Sequence, residues 1–375
     1  MHVKNRGCYV MQNARFSHLV PFIALIVVQA ASSAVPNGLA ERAHVTIQTL
    51  ERQEDIRTPA EAPSWLIMDT LLAFGQDYLL QSEQEDGLHI TFSERLSGNN
   101  EQPEAKEYSP LFCCEGKVIV ADRGSSAAWG ERHPFQFLWC MAEAGLPLSM
   151  PIKVAGHPPV TISQVCTDAE KRITEFSTLS WALPTIAQCR GCGYKWTNRF
   201  DEGLTIKYLL KALLSPDHRS DEYCANSHKA FAVARVLSLC SGETDFDCVE
   251  MRTARQWLDS FWAKYKENVQ SDGRIDYQAV GWPTWPEESL RAAAEAGAAG
   301  HTLAWMALDC KSAGRRQMVD SVALHAIESL DATVLPQGLD GIFARGQVCH
   351  AVHGLRLYLE MAGEAIDTRQ TMQGN

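Results

Sequence analysis

The sequence predicts a mainly α-helical protein, an α/α toroid or barrel of helical hairpins with a small β-containing N-terminal segment. One observation is that apolar residues from His133 onward recur at helical spacing, as they do between Ile162 and Ile173. The other is a repeated sequence motif in which a glutamine lies two or three residues before an Asp-Gly pair. It follows amphipathic stretches at Gln84, Gln270 and Gln337. Such repetition indicates stacked helical hairpins, and a non-toroidal bundle or solenoid is the alternative.

Residues 1–34 have the composition of a secretory signal peptide. They contain Lys and Arg but no acid, and the basic part precedes an apolar run from Leu19 to Ala31. The run is shorter than the roughly 20 residues of a membrane-spanning helix, and small residues follow it at 32–34. We expect cleavage before Val35 and export to the periplasm, the cell envelope or the outside of the cell. An uncleaved anchor is the alternative, and translation could start at Met1 or Met11.

The remaining chain is expected to form one large domain. Residues 35–62 are polar and contain prolines, so they predict an extended lead-in. Residues 63–365 predict the toroid-like domain, with an irregular or β insertion at about 83–132 and a flexible tail at 366–375. Within the insertion, Lys117 to Ala121 predicts a strand paired with Leu88 to Ser93.

Local signals place the helices along the domain. Ser64 is a candidate cap for a helix to about Gln81, and Pro134 suits the first turn of another. Thr161 and Gln164 have the spacing of a capping box, in which each side chain bonds an otherwise unpaired backbone amide. Further helices are predicted at 204–214, 226–240, 249–268, 287–295, 299–311, 316–331 and 347–362.

Charge and motifs exclude several function classes. The chain has 34 Lys and Arg against 45 Asp and Glu, a formal net charge of −11. An acidic chain disfavours nucleic-acid binding, which needs basic side chains at the phosphates. After the leader, no apolar stretch predicts stable membrane insertion. Neither a glycine-rich phosphate loop nor the Gly-x-Ser-x-Gly nucleophile motif occurs.

The chain has 12 cysteines, all but one of them after the leader. Cys189 and Cys192 are the one pair with motif spacing, which is typical of a local disulfide or of half a metal site. Inert thiols are the alternative for this pair. Five other cysteines fall within apolar helical patterns, where thiols behave as small apolar side chains. These are Cys140, Cys166, Cys224, Cys240 and Cys310.

Two stretches resemble known α/α toroids. The stretch from Trp257 to Ile275, with its Gln-Ser-Asp-Gly-Arg turn, resembles the repeat of terpenoid-cyclase and prenyltransferase toroids. The stretch from Trp129 to Phe200, with His133-Pro134-Phe135-Gln136 and Trp196-Thr197-Asn198-Arg199, is similar to uncharacterised exported bacterial proteins of this type. The resemblance implies a toroid fold and an exported location. It implies no activity, because the Asp-rich box of the cyclases does not occur.

Histidines supply the candidate binding site. His133, His228, His301 and His350 occupy similar places near predicted helix starts, so we expect them to meet in one cleft. Gln136 and Arg199 are expected to join them, and Trp196 offers an aromatic surface for a sugar ring. The predicted function is binding of a protein or glycan ligand without catalysis. The alternative is that each histidine stabilises its own hairpin.

Two enzymatic alternatives remain open. Cys349-His350 resembles the adjacent zinc ligands of lanthionine-synthetase cyclases, which are also toroids, and Cys310 is the candidate second thiolate. That resemblance implies a zinc enzyme, whereas the main prediction has no cofactor. The second alternative is a polysaccharide-acting hydrolase or lyase that uses two carboxylates. Its candidate acids are Asp86, Asp201, Glu202, Asp272, Asp276 and Asp340.

Overall fold

The structure is a computed structural model of the chain. It describes residues 38–53, 57–81, 89–98, 110–121, 133–218, 224–242, 248–284, 288–337 and 341–363. By its contacts the chain divides into Met1–Ala34 and Val35–Asn375, and every described residue belongs to the second unit. The expected signal peptide and the expected tail lie outside the described residues.

The described residues are mainly helical, as the sequence predicts. The helices are α1 (Leu39–Arg52), α2 (Ser64–Phe74), α3 (Phe92–Ser97), α4 (Gln136–Glu143), α5 (Ile162–Arg172), α6 (Leu179–Arg190), α7 (Ile206–Leu214), α8 (Ser227–Leu239), α9 (Val249–Glu267), α10 (Glu288–Leu308), α11 (Ala313–Gln337) and α12 (Ile342–Ala362). None of the helices in the described ranges has both the length and the apolar character needed to cross a membrane.

The even-numbered helices pack on one another in order. Helix α2 contacts α4, which contacts α6, and the contacts continue through α8, α10 and α12 back to α2. In α2, ten of the 11 residues are buried, whereas α7 buries only its apolar stripe of Ile206, Leu209, Leu210 and Leu213. A helix buried on all sides lies inside a protein, and a helix with one apolar face lies outside it. The even-numbered helices therefore form the interior.

Eight short strands accompany the helices in the described ranges. They are β1 (Leu79–Gln81), β2 (His89–Thr91), β3 (Phe112–Glu115), β4 (Val118–Ala121), β5 (Pro151–Ala155), β6 (His157–Thr161), β7 (Lys195–Thr197) and β8 (Gly203–Thr205). Strands β1 and β2 form one antiparallel pair, and β7 and β8 form another. The remaining four form a sheet in the order β4-β3-β5-β6.

Some local predictions are confirmed, and others need correction. The capping box of Thr161 and Gln164 begins α5, and β4 matches the predicted strand. Its partner is β3 rather than the segment after Leu88, because the closer segment Phe112–Glu115 forms a hairpin with it. The predicted partner instead divides into β2 and α3, since Thr91 and Glu94 form a second capping box.

The segment expected to be extended, residues 35–62, contains helix α1. The apolar residues Leu39, Ala43, Ile47 and Leu50 lie on one face of α1 and are buried. Their spacing indicates an amphipathic helix, and the polar residues between them hide it in the overall composition. The predicted helices at 287–295 and 299–311 form the single helix α10. Helix α6 was not predicted, because nine of its 12 residues are buried and Pro184 lies inside it.

Candidate functional site

One cavity of about 430 Å³ lies among the interior helices, and we call it the histidine pocket. It is lined by Trp65, Asp69, His133, Gln136, Cys224, His228, Trp282, Pro283, His301, Phe343, Gly346, Gln347 and His350. These residues come from α2, α4, α8, α10 and α12 and from the segments next to them. Side chains far apart in the sequence therefore meet at one place.

The four histidines form a continuous series of ring contacts. The ring centroids of His133 and His228 are 5.7 Å apart, those of His228 and His301 are 4.8 Å apart, and those of His301 and His350 are 4.0 Å apart. These distances confirm the predicted convergence. The predicted reason holds only for His133 and His228, because His301 and His350 lie well inside α10 and α12.

Glycines bring His301 and His350 together. A Cβ atom at Gly300 would overlap the carbonyl group of His350, and a Cβ atom at Gly354 would overlap the carbonyl oxygen of Gly300. Helices α10 and α12 therefore approach with their backbones in contact, which side chains at these positions would prevent. This approach places the imidazoles of His301 and His350 against each other.

Left-handed backbone conformations flank the other two histidines. Among the described residues, four non-glycine residues have a positive φ, and three of them lie beside the pocket. Phe135 (φ 73°) lies between His133 and α4, while Ala225 (φ 51°) and Asn226 (φ 64°) precede His228. Residues other than glycine adopt the left-handed conformation at an energetic cost, because the Cβ atom crowds the backbone. Such strain is concentrated at functional sites, so it supports a function here.

Aromatic rings hold the imidazoles in place. The Trp181 ring on α6 lies 4.4 Å from the His228 ring and 5.7 Å from the His133 ring, measured between centroids. The Trp282 ring lies 5.6 Å from that of His301. Trp181 is 2% exposed. The imidazoles of His133 and His228 therefore pack against a buried aromatic ring, which limits their rotation.

The polar groups of the pocket are buried. Asp69 is 3% exposed, and its Oδ2 lies 3.7 Å from Nε2 of His350. Burial, together with the neighbouring imidazoles of His350 and His228, lowers the pKa of His301 well below its ordinary value. The His301 ring is therefore neutral at neutral pH. Gln136 is 6% exposed, and its Oε1 accepts no hydrogen bond.

A second group of polar residues, Glu143, Arg235 and His353, lies further along α4, α8 and α12, and we call it the ion-pair layer. Glu143 accepts hydrogen bonds from Nε of Arg235, at 2.9 Å, and from Nη2 of Arg235. His353 Nε2 lies 3.8 Å from Glu143 Oε1. Seven residues separate Gln136 from Glu143 and His228 from Arg235, a rise of about 10 Å along an α-helix. Burial raises the pKa of Glu143, but Arg235 and His353 more than offset this, and the net pKa is below its ordinary value.

Trp196 and Arg199 do not line the histidine pocket, which corrects their expected place in the shared cleft. Trp196 Nε1 donates to the carbonyl of Glu170 at 3.1 Å, and the Arg199 amide donates to the carbonyl of Lys171 at 3.0 Å. The Arg199 guanidinium lies over the Phe200 ring, 4.8 Å from its centroid. Both residues therefore belong to the hairpin of β7 and β8, which these bonds attach to α5.

The cysteine and histidine ligands expected for zinc are not the ones that meet. Among the described residues, one group of three potential ligands has its donor atoms within 4.8 Å of one another, and it consists of Cys224, His228 and His301. Cys349 is buried, with its Sγ 3.8 Å from Oγ1 of Thr70, and burial raises the pKa of its thiol. Cys310 follows the end of α10, and neither Cys310 nor Cys349 lines the pocket.

The disulfide differs from the predicted local pair. Cys192 bonds Cys240, at a sequence separation of 48, whereas Cys189 shares a hydrogen bond with Cys166. Cys240 was expected to be an inert thiol. Its position at the end of α8 brings it to the loop after α6, because these two interior helices pack together.

The copy of the repeated glutamine motif that begins at Gln270 forms a turn and does not line the histidine pocket. The amide of Gln270 donates to the carbonyl of Arg274 at 2.7 Å, and Gly273 has a φ of 86°. This turn borders a separate cavity of about 410 Å³ that also contains Asp276 and His325. The copies that begin at Gln84 and Gln337 fall wholly or partly outside the described residues.

Several pocket residues were not identified from the sequence. They are Trp65, Asp69 and Gln347, together with Trp181, whose ring contacts two of the lining histidines. Trp65, Asp69 and Gln347 lie within helices whose apolar pattern indicates only a core, and Trp181 lies in the helix that was not predicted.

Comparison of the chain with protein-family models, with curated proteins and with solved structures gave no match.

Proposed function

We propose that this chain is an exported α/α-toroid protein that binds a glycan in its histidine pocket without a catalytic step. The observation that carries the proposal is the convergence of His133, Gln136, His228, His301 and His350 on one cavity. Five of the seven ligand-binding residues predicted from the sequence are in this set.

The size of the cavity favours a glycan over a protein surface. Small-molecule sites usually occupy about 300–1,000 Å³, and the histidine pocket has about 430 Å³. Protein partners instead bury roughly 800 Å² on each side of a broad interface. A sugar residue at the end of a glycan chain fits such a pocket, and the rest of the chain would extend into solvent.

The chemistry of the lining also suits a sugar. Gln136 Oε1 is a buried acceptor that no group in the described part of the chain satisfies, and a sugar hydroxyl would donate to it. Imidazoles offer a donor and an acceptor when neutral. Phe343, which is 39% exposed at the pocket, provides an aromatic surface for the C–H faces of a ring.

The hydrolase or lyase alternative has less support at this pocket. Asp69 is the one carboxylate that lines it among the described residues, whereas glycoside hydrolysis generally uses two. Among the candidate acids, Asp276 borders the separate cavity and Asp201 lies beyond β7. Asp86 and Asp340 lie outside the described residues.

Two further observations support the toroid and the exported location. The contacts among the interior helices return from α12 to α2, as a ring requires. The outer helices α7 and α9 pack on each other and on the interior helices α6 and α8. The Cys192–Cys240 disulfide is typical of an oxidising compartment, and it is independent of the leader sequence.

The test is calorimetric titration of the folded protein with glucose, N-acetylglucosamine, cellobiose and maltose. We expect saturable 1:1 binding of at least one sugar, weakened about tenfold by Gln136→Met, which removes the acceptor but keeps the side-chain length. Tenfold corresponds to about 1.4 kcal/mol, within the range for a buried hydrogen bond. Gln256→Met is the matched control, since Gln256 is exposed on α9. Absence of binding to the whole panel, or equal affinity in Gln136→Met, would contradict the proposal.

A further inference from the structure

We propose that Cys224, His228 and His301 bind one divalent transition-metal ion of the zinc class, with an open coordination position facing the histidine pocket. The three residues line the pocket in which we propose that a glycan binds, so this proposal rests on the proposed function. The ion itself is measured without any sugar, so the two proposals fail separately.

The distances between the three side chains suit a metal site. The Cys224 Sγ atom and one ring nitrogen from each histidine all lie within 4.8 Å of one another. With Zn–S of about 2.3 Å and Zn–N of about 2.0 Å, a tetrahedral site needs ligand atoms about 3.3–3.6 Å apart. The donor atoms must therefore approach by up to about 1.5 Å, which side-chain rotations can provide.

The donor set selects the class of metal. One thiolate and two imidazoles suit zinc and its neighbours cobalt and nickel, whereas calcium and magnesium require oxygen ligands. Three protein ligands leave one tetrahedral position open, as in zinc sites where water or a substrate completes the coordination. A structural zinc site would need a fourth protein ligand.

The surroundings supply the support that metal ligands need. His301 is in ring contact with His350, whose Nε2 lies 3.7 Å from Oδ2 of Asp69. A carboxylate behind an imidazole orients it and fixes its tautomer. His350, whose ring centroid lies 4.0 Å from that of His301, is a further nitrogen donor that can bond a metal-bound water or occupy the open position.

The backbone before α8 aims two of the ligands at the same point. Three residues separate Cys224 from His228, and the first two, Ala225 and Asn226, are in the left-handed conformation. This turn places the thiol of Cys224 beside the imidazole of His228, in the first turn of α8. The imidazole of His301 approaches from α10. The ligands are thus held by two packed helices and a strained turn, which favours a preformed site.

The test uses the full chain with its disulfide intact, freed of metal by a chelator and titrated with Co²⁺. We expect one equivalent to bind and to produce thiolate-to-cobalt charge-transfer absorption together with the visible bands of a tetrahedral site. Cys224→Ser should abolish the charge-transfer absorption, and His228→Ala should weaken cobalt binding at least tenfold. Zinc should displace the cobalt. Circular dichroism of each variant checks that it is folded.

The matched controls are Cys310→Ser and Cys349→Ser, whose thiols lie outside the group of three, and both should retain the charge-transfer absorption. Gln136→Met should bind cobalt normally even though it weakens sugar binding, which separates the two proposals. Failure of the wild-type protein to bind one equivalent, or persistence of the charge-transfer absorption in Cys224→Ser, would overturn the metal site.

Discussion

Helices α4, α8 and α12 carry buried polar side chains at two levels, and the levels differ in how those side chains are satisfied. In the ion-pair layer, Glu143 and Arg235 bond each other directly. In the histidine pocket, Gln136 keeps a buried oxygen without a hydrogen bond. The same interior helices therefore hold a carboxylate that is bonded to its partner Arg235 and an amide oxygen, that of Gln136, that is not bonded by the described residues.

The difference indicates separate roles for the two levels. A buried acceptor without a partner costs about 1–3 kcal/mol, and the strained residues beside the pocket add to that cost. Such costs are consistent with a site shaped for a ligand. The ion-pair layer instead joins three helices and lies outside the lining of the pocket, so its loss should change stability much more than binding by the folded protein.

The largest expected effect comes from Glu143→Gln. Arg235 would keep its charge in a site where its side chain is only 16% exposed and would lose its carboxylate partner. Breaking a buried pair in this way costs about 3–5 kcal/mol. Chemical denaturation should show this loss. Glu328→Gln, which breaks an exposed pair with Arg274, should cost less than about 1 kcal/mol. Similar losses in both variants would contradict the distinction.

The same carboxylate predicts how stability depends on pH. The folded-state pKa of Glu143 lies below its ordinary value of 4.5. A carboxyl group of this kind stabilises the fold above the pKa of the unfolded chain, and the stabilisation is lost as the pH falls toward the folded pKa. The free energy of unfolding should therefore decrease more steeply below pH 4.5 in the wild type than in Glu143→Gln. Parallel acid profiles would show that Glu143 does not provide this stabilisation.

A smaller effect is expected where the backbones of α10 and α12 touch. Gly300→Ala would force a methyl group against the carbonyl of His350, at a cost of about 1–3 kcal/mol. It would also separate the imidazoles of His301 and His350, so cobalt and sugar binding should both weaken. Gly314→Ala on α11 is the matched control, because no atom lies near its added Cβ. It should be neutral or slightly stabilising. A stable Gly300→Ala protein with unchanged binding would disprove the close approach.

The smallest effect separates the β7–β8 hairpin from the pocket. Asn198 donates to the carbonyl of Ile173 at 2.8 Å, and its Oδ1 accepts from the amides of Phe200 and Glu202. We expect Asn198→Ala to cost about 1–2 kcal/mol of stability and to leave sugar and cobalt affinity unchanged. Asn268→Ala, which removes one exposed hydrogen bond, serves as the control. A loss of binding in Asn198→Ala without a loss of stability would show that the hairpin takes part in ligand binding.

The sequence predicts the helical class and part of the site because both depend on local signals. Apolar spacing locates α8 and α9, and the Thr161 capping box locates the start of α5. The four predicted histidines and Gln136 are five of the 13 residues that line the pocket. Contacts between distant segments are less accessible. The Cys192–Cys240 bond depends on the packing of α6 against α8, which local patterns do not encode.

Fully buried segments limit the sequence analysis further. Helix α6 has no polar face to reveal its period, so its aromatic residue Trp181 was missed although it contacts two of the histidines. Trp196 and Arg199 led to the opposite error. Their residue types suit sugar or anion binding, but in the structure they attach a hairpin to α5. Residue type alone does not distinguish a ligand contact from a structural bond.

The most direct test of the shared pocket is nuclear Overhauser spectroscopy of the ligand-free protein with protonated histidines in a deuterated background. Cross-peaks should connect the imidazoles of His228 and His301 and those of His301 and His350, whose ring centroids are 4.8 Å and 4.0 Å apart. The exposed ring of His157 should show no cross-peak to any of them. Four histidines without mutual cross-peaks would contradict a common site and, with it, both the glycan and the metal proposals.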